Sequence, residues 1–137
     1  MNFPEGLSRT VRTRAKGRCQ YCLMHESLQG ATFHVEHIIP RCRGGCSRLE
    51  NLALACPGCN LHKASRITAI DPTTGEVVPL FHPILHQWAT HFRFLGYEVI
   101  ALTAAGRATI EALNLNDSRR QRIREVEAAF GFYPPVP

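Results

Sequence analysis

His34-Val-Glu-His-Ile-Ile-Pro40, followed by Glu50-Asn-Leu52 and by Cys56-Pro-Gly-Cys-Asn-Leu-His-Lys63, is the stretch whose reading decides this fold. Thr32 to Ile39 reads as a strand, because β-prone residues run up to Pro40, which cannot donate to a ladder. Leu52-Ala-Leu-Ala55 is a short apolar piece, either strand or helical turn. Pro57 suits the first turn of a helix running to about Arg66. Between the strand and the apolar piece lies a basic loop, 41–50, which carries Arg41, Arg43 and Arg48 around Gly44-Gly45. The order is strand, loop, short element, helix.

Working outward, Cys19-x-x-Cys22 and Cys56-x-x-Cys59 flank that stretch. Each CxxC lets two sulfurs converge on one ion from a tight turn, and two such pairs make the ligand grouping of a structural Zn2+ site. The gap of 33 residues between the pairs is long, as it should be if the intervening β-loop is what is clamped. Unrelated buried cysteines would not be expected to repeat the same spacing. Cys42 and Cys46 form a C-x-x-x-C in the basic loop; they read first as bystanders, with a redox pair or a second half-site as alternatives.

Inside the clamp the residue types suit phosphodiester hydrolysis. That reaction needs an activated water and something to absorb the charge developing on the phosphate. His37 is a suitable water activator, since imidazole titrates near neutral pH. Glu36 offers a carboxylate oxygen and Asn60 an amide oxygen to a hard divalent cation, which keeps positions open for phosphate and water. In a regular strand Glu36 and His37 point to opposite faces, so both address one site only if the strand bulges or ends there. His34 shares the parity of Glu36 and could be an extra ligand or a phosphate contact. Asn51 also has a plain reading as a turn-capping residue.

The rest of the chain sets the frame. At 137 residues and 15.3 kDa it reads as one domain. No apolar run approaches the ~20 residues of a membrane span. The start, Met1-Asn-Phe-Pro-Glu, lacks the pattern of a secretory signal, so the expected localisation is cytoplasmic, where cysteines bind metal more readily than they form disulfides. Residues 1–66 hold 10 Lys/Arg against 4 Asp/Glu, whereas 67–137 hold 6 against 7, so the half with the motif is the basic half. A polyanionic partner would prefer that half.

Residues 7–16 read as a helix with Ser8 as N-cap and Gly17 as the stop, presenting Arg9, Arg12 and Lys16 on one face as a phosphate-contacting arm. Ile67–Ile70 and Glu76–Phe81 are β-prone runs joined by the turn Asp71–Gly75. His91–Leu95 and Tyr97–Leu102 alternate like a hairpin about Gly96. Thr103 caps a helix over 104–114, and Asp117 caps another that reaches Phe130. Residues 134–137 form an extended tail. His82, His86 and His91 read as parts of a C-terminal core and rim.

Glu36-His-Ile-Ile-Pro40, Gly44-Gly45, Glu50-Asn-Leu52 and Cys56-x-x-Cys-Asn-x-x-Lys63, in that order and spacing, resemble the HNH endonucleases over about residues 19–66. The resemblance implies an α+β fold: a ββα-metal core clamped by a four-cysteine zinc site, with a C-terminal β-hairpin and helices. Residues 1–66 would be the nuclease core with its basic helix and knuckles, and 67–137 an extension packed on it in the same domain. Leu80–Pro83 and Trp88–Phe92 are similar to a continuation found in some HNH proteins.

The resemblance also implies roles. His37 would be the general base, with Asn51 fixing the loop and Asn60 completing the catalytic set. Glu36 and Asn60 would hold the catalytic Mg2+ or Mn2+, and Cys19, Cys22, Cys56 and Cys59 the structural zinc. Arg41, Arg43, Arg48, Lys63 and His34 would contact DNA, the expected partner, and no membrane. The expected activity is metal-dependent hydrolysis of DNA phosphodiester bonds, with modest base specificity. The rival is a zinc-knuckle DNA-binding or assembly module without hydrolytic activity.

Overall fold

The computed structural model describes residues 5–136 and has an α+β architecture. Helix α1 (Glu5–Ala15) leads into the first CxxC, and strands β1 (His34–His37) and β2 (Leu52–Ala55) pair antiparallel. Helix α2 (Pro57–Lys63) follows, opened by Cys56 as its N-cap. Two further hairpins are built from β3 (Thr68–Ile70) with β4 (Val77–Pro79), and β5 (Phe92–Leu95) with β6 (Glu98–Ala101). The short α3 (Trp88–His91) precedes β5, and α4 (Ala104–Leu113) and α5 (Ser118–Ala129) close the chain.

Most sequence-based boundaries are close, and the differences have local causes. Ser8 is not a cap: α1 begins at Glu5 and Ser8 lies inside it. The apolar piece at 52–55 is a strand because all its residues are buried against the interior while pairing with β1. α2 stops at Lys63 because Ala64 takes a positive φ of 50°. Thr103 and Asp117 cap as expected, accepting from Gly106 N–H and Arg119 N–H. Of the tail over 134–137, the last residue lies outside the described range.

Two arginines of α1 reach backbone carbonyls of the hairpin, while Arg9 and, just past the helix, Lys16 remain exposed. Arg12 donates to the Phe33 carbonyl at 2.7 Å and sits 3.5 Å from the Glu26 carboxylate. Arg14 donates to the carbonyls of Leu49 and Leu52, at the entrance to β2. Together the two side chains bind carbonyls on both sides of the β1–β2 hairpin and fix α1 over it.

One apolar cluster joins both parts of the sequence. Val11, Tyr21, Phe33, Leu52 and Leu54 pack together with Phe81, Trp88, Phe92, Leu113 and Leu115. The Trp88 indole N–H donates to the Tyr21 carbonyl at 2.9 Å, tying α3 to the first CxxC. Phe92 lies 5.2 Å from Phe81 edge-on and 5.0 Å from Trp88, so the aromatic wall of the C-terminal part backs the knuckle.

The β3–β4 turn is fixed by Asp71, whose carboxylate accepts from Thr73 N–H, the Thr74 hydroxyl and, in a two-pronged pair, Arg107 of α4 at 2.9 and 2.8 Å. The Arg107 guanidinium holds the Asp71 carboxyl well below the usual carboxylate range. A depressed folded-state pKa stabilises above the unfolded value of ~3.9 and loses that contribution as pH falls. Asp71→Asn is therefore expected to lower the urea midpoint at pH 7, with the gap to wild type closing as the pH drops below about 4. A gap that persists unchanged at pH 3 would contradict the ion pair as its source.

Candidate metal and catalytic centre

Cys19, Cys22, Cys56 and Cys59 bring four sulfur atoms within 4.8 Å of one another, all buried, and this is the metal-ligand cluster found among the described residues. A tetrahedron with Zn–S bonds of ~2.3 Å has edges of about 3.8 Å. The Cys22 and Cys56 sulfurs stand 3.8 Å apart. Burial pushes the Cys19 and Cys59 thiols up, because thiolates crowded in an apolar interior are costly without a cation. A divalent soft-tolerant ion offsets that charge, so both geometry and donor chemistry fit zinc.

Local hydrogen bonds shape the two knuckles. Cys19 N–H donates to the Met24 carbonyl and Leu23 N–H to the Cys19 carbonyl, closing the first turn. Gln20 then pairs with Leu54 through its own N–H and through its side-chain oxygen, which stitches the knuckle to β2. In the second knuckle the Cys56 sulfur accepts from Cys59 N–H at 3.4 Å, so a cysteine of the cluster is also the helix cap.

On β1, Glu36 turns inward. Its Oε1 accepts from the Tyr21 hydroxyl at 2.5 Å and lies 3.8 Å from Lys63 Nζ. Burial raises its pKa to about 6, with Lys63 and Tyr21 pulling the other way. Lys63 is not the surface phosphate contact expected from sequence: it is 1% exposed, and its ammonium donates to the Ile38 carbonyl at 2.7 Å. An ammonium this deep needs a carboxylate partner, which explains why it faces Glu36. Asn60 lies one turn before Lys63 on α2, a spacing that shares a helix face, and its side chain makes no hydrogen bond among the described residues.

His37 faces a different environment. Its Nε2 is 2.9 Å from the Ser47 hydroxyl, at the outer edge of the loop. Partial burial, and next the Arg41 charge, lower its pKa below 6.5 and leave the ring neutral at pH 7. The alternation along β1 therefore gives the carboxylate to the interior and the imidazole to the loop.

Asn51 holds the loop against β1. Its Oδ1 accepts from Ile39 N–H at 2.8 Å, while its Nδ2 donates to the Ile39 and Cys46 carbonyls at 2.9 and 2.7 Å. Its backbone carbonyl takes Ile38 N–H at 2.9 Å. Gly45 is obligatory there, because a Cβ would stand 1.7 Å from the Ile39 oxygen and 2.9 Å from Asn51 Nδ2.

Around this centre His34, Arg41, Arg43 and Arg48 are exposed, with Arg43 Nε held by the Ser65 carbonyl at 3.0 Å. Cys42 and Cys46 are free and exposed, away from the buried sulfur quartet. Sequence reasoning missed Tyr21 and Ser47, whose value depends on spatial neighbours that spacing does not reveal. Tyr21 sits between two cysteines of the sulfur cluster, and that placement is the one available signal.

Residues 19–66, about a third of the chain, match the family model described as HNH endonuclease, a match that points to nuclease or nucleic-acid-binding function for this segment. No curated protein and no solved structure matches the chain significantly. No helix among the described residues is long and apolar enough to cross a membrane.

Asn51→Ala removes a buried side chain that serves three backbone groups, so the chain is expected to lose about 2–4 kcal/mol in urea unfolding. A loss under about 0.5 kcal/mol would show that the loop does not depend on it. The purified chain should carry close to one zinc per molecule by elemental analysis. Cys56→Ser should abolish that content; full retention in this variant would count against the cluster as the site.

Proposed function

We propose that the HNH domain at residues 19–66 makes this chain a metal-dependent endonuclease that hydrolyses phosphodiester bonds in DNA. The observation that carries the reading is the division at the end of β1: an inward-facing, twice-partnered Glu36 beside a half-buried His37 bonded to Ser47 at the loop edge. Glu36 has a structural use in any binder without hydrolytic activity as well, whereas a half-buried imidazole bonded to Ser47 beside it has an evident use in hydrolysis.

The DNA backbone would lie along the exposed Arg41, Arg48 and His34, with Arg43 steadied by its bond to Ser65. His37 accepts a proton from a water molecule as that water attacks phosphorus in line, and the Ser47 hydroxyl fixes the ring. Asn51 keeps the loop and the end of β1 in register, so the base does not drift.

Glu36 and Asn60 would hold the divalent ion. The carboxylate has one oxygen engaged by Tyr21 and Lys63 and a second oxygen to offer, and the amide side chain is uncommitted among the described residues. Two neutral-to-anionic oxygens suit Mg2+ or Mn2+ better than a soft metal. When bound, such an ion neutralises charge on the phosphate and on the leaving 3′ oxygen. In-line displacement sets the attacking water opposite the leaving 3′ oxygen, so the base would act on the water and the ion on the phosphate and leaving oxygen. The products would be a 3′-hydroxyl and a 5′-phosphate.

Plasmid nicking in Mg2+ or Mn2+ tests this. His37→Ala is expected to fall by roughly 10²–10⁴ in rate with its fold and zinc intact. Equal rates for both proteins would remove His37 as the base. Because burial and Arg41 lower the His37 pKa from 6.5, the base form predominates early. The single-turnover rate should therefore rise with pH and level off with its midpoint below 6.5. A midpoint above 7 would contradict the assignment.

A further inference from the structure

The sulfur cluster has a neighbour from outside the HNH segment. Arg120, in the first turn of α5, donates from Nη1 to the Cys59 sulfur at 3.3 Å. The residue is 8% exposed, and its Nη2 is buried with no hydrogen-bond partner. The approach is possible because residue 58 is glycine: a Cβ there would stand 2.2 Å from Nη2 and 3.0 Å from the guanidinium carbon. Arg124, one turn on, is also buried and donates to the Tyr97 and Leu115 carbonyls.

Four thiolates around one Zn2+ carry a net charge of about −2, which is unfavourable in a buried site unless compensated. A guanidinium is permanently charged and presents a planar fork of donors, so it compensates without needing water. The same helix also grips the other knuckle. Glu127 accepts the His25 N–H at 2.7 Å, and just past the helix the Phe132 carbonyl takes Arg18 at 2.9 Å while its ring stacks on His25 at 4.4 Å. Both CxxC turns are therefore in contact with one C-terminal element.

We infer that Arg120 is a positioning residue of the zinc–thiolate site, bonding the Cys59 sulfur and balancing its charge, so that zinc binding locks α5 onto the nuclease segment. This rests on the zinc reading of the cysteine cluster and is independent of DNA hydrolysis. Ligands bound by partners beyond the first coordination sphere typically lose 10–100-fold in metal affinity when those partners are removed.

The test uses the full chain, loaded with zinc for chelator competition and with cobalt for the sulfur-to-metal charge-transfer band. Arg120→Met is expected to weaken zinc binding roughly 10- to 100-fold and to shift the band. Arg120→Lys, which keeps the charge without the fork, should fall between it and wild type. Arg122→Met, an exposed change on the same helix, should match wild type in both readings. Wild-type affinity with an unmoved band in Arg120→Met overturns the inference. Should that variant not fold, Gly58→Ala decides, because the added methyl must displace the guanidinium end. A wild-type band and affinity in Gly58→Ala would also overturn it. A wild-type chain that binds neither zinc nor cobalt through sulfur overturns the zinc reading itself, a different result from a metal-binding chain indifferent to Arg120.

Discussion

The sulfur cluster joins Cys19 and Cys22, which follow α1, to Cys56 and Cys59, which open α2. Everything between those pairs, including β1, the basic loop and β2, is a closed excursion from that point. The hairpin has only short strands, and a two-stranded ribbon of that size is marginal on its own. It is gathered at its base by the four-sulfur cluster, stitched to the knuckle through Gln20, and roofed by Arg12 and Arg14, and a zinc ion in the cluster would clamp it further. Small domains commonly use a structural metal in this way.

Position follows from that clamp. Cys56 and Cys59 fix the start of α2, so Lys63 is presented to β1 one turn beyond Asn60 on the same helix. Lys63 then satisfies both Glu36 and the Ile38 carbonyl, which holds the strand end and the carboxylate together. Asn51 performs the matching task on the loop side. Tyr21 adds a second donor to the same Glu36 oxygen that faces Lys63, which fixes the carboxylate from one side. The result is a carboxylate fixed from within and an imidazole held at the surface, with few degrees of freedom between them.

Much of this was legible in the sequence where the signal is local. The CxxC spacing, Pro57 at the helix start, the Thr103 and Asp117 caps and the turn at Asp71 each arise from neighbours in the chain, and each is found where the residues indicate. The misses concern groups whose partners are remote. Lys63 is basic and lies on a short helix, which suggests solvent and phosphate; only tertiary contact with Glu36 makes burial tolerable. Arg12 reads with Arg9 and Lys16 as one basic face, yet its guanidinium reaches a carbonyl 21 residues away. The short α3 has no periodicity to announce it, being fixed by the Trp88 bond to Tyr21. Arg120 gave no sign at all, since nothing in the order of residues brings α5 beside Cys59.

The central claim is that metal-held sulfurs set the positions of β1, the loop and α2 together. Amide hydrogen exchange on the full chain, before and after zinc is stripped by a chelator, tests it most directly. The N–H groups of Ile38, Ile39 and Asn60 should be protected in the loaded protein and should lose protection together once the metal is gone. Protection at these three sites that survives zinc removal unchanged would mean that packing alone positions the site, and the account would be wrong.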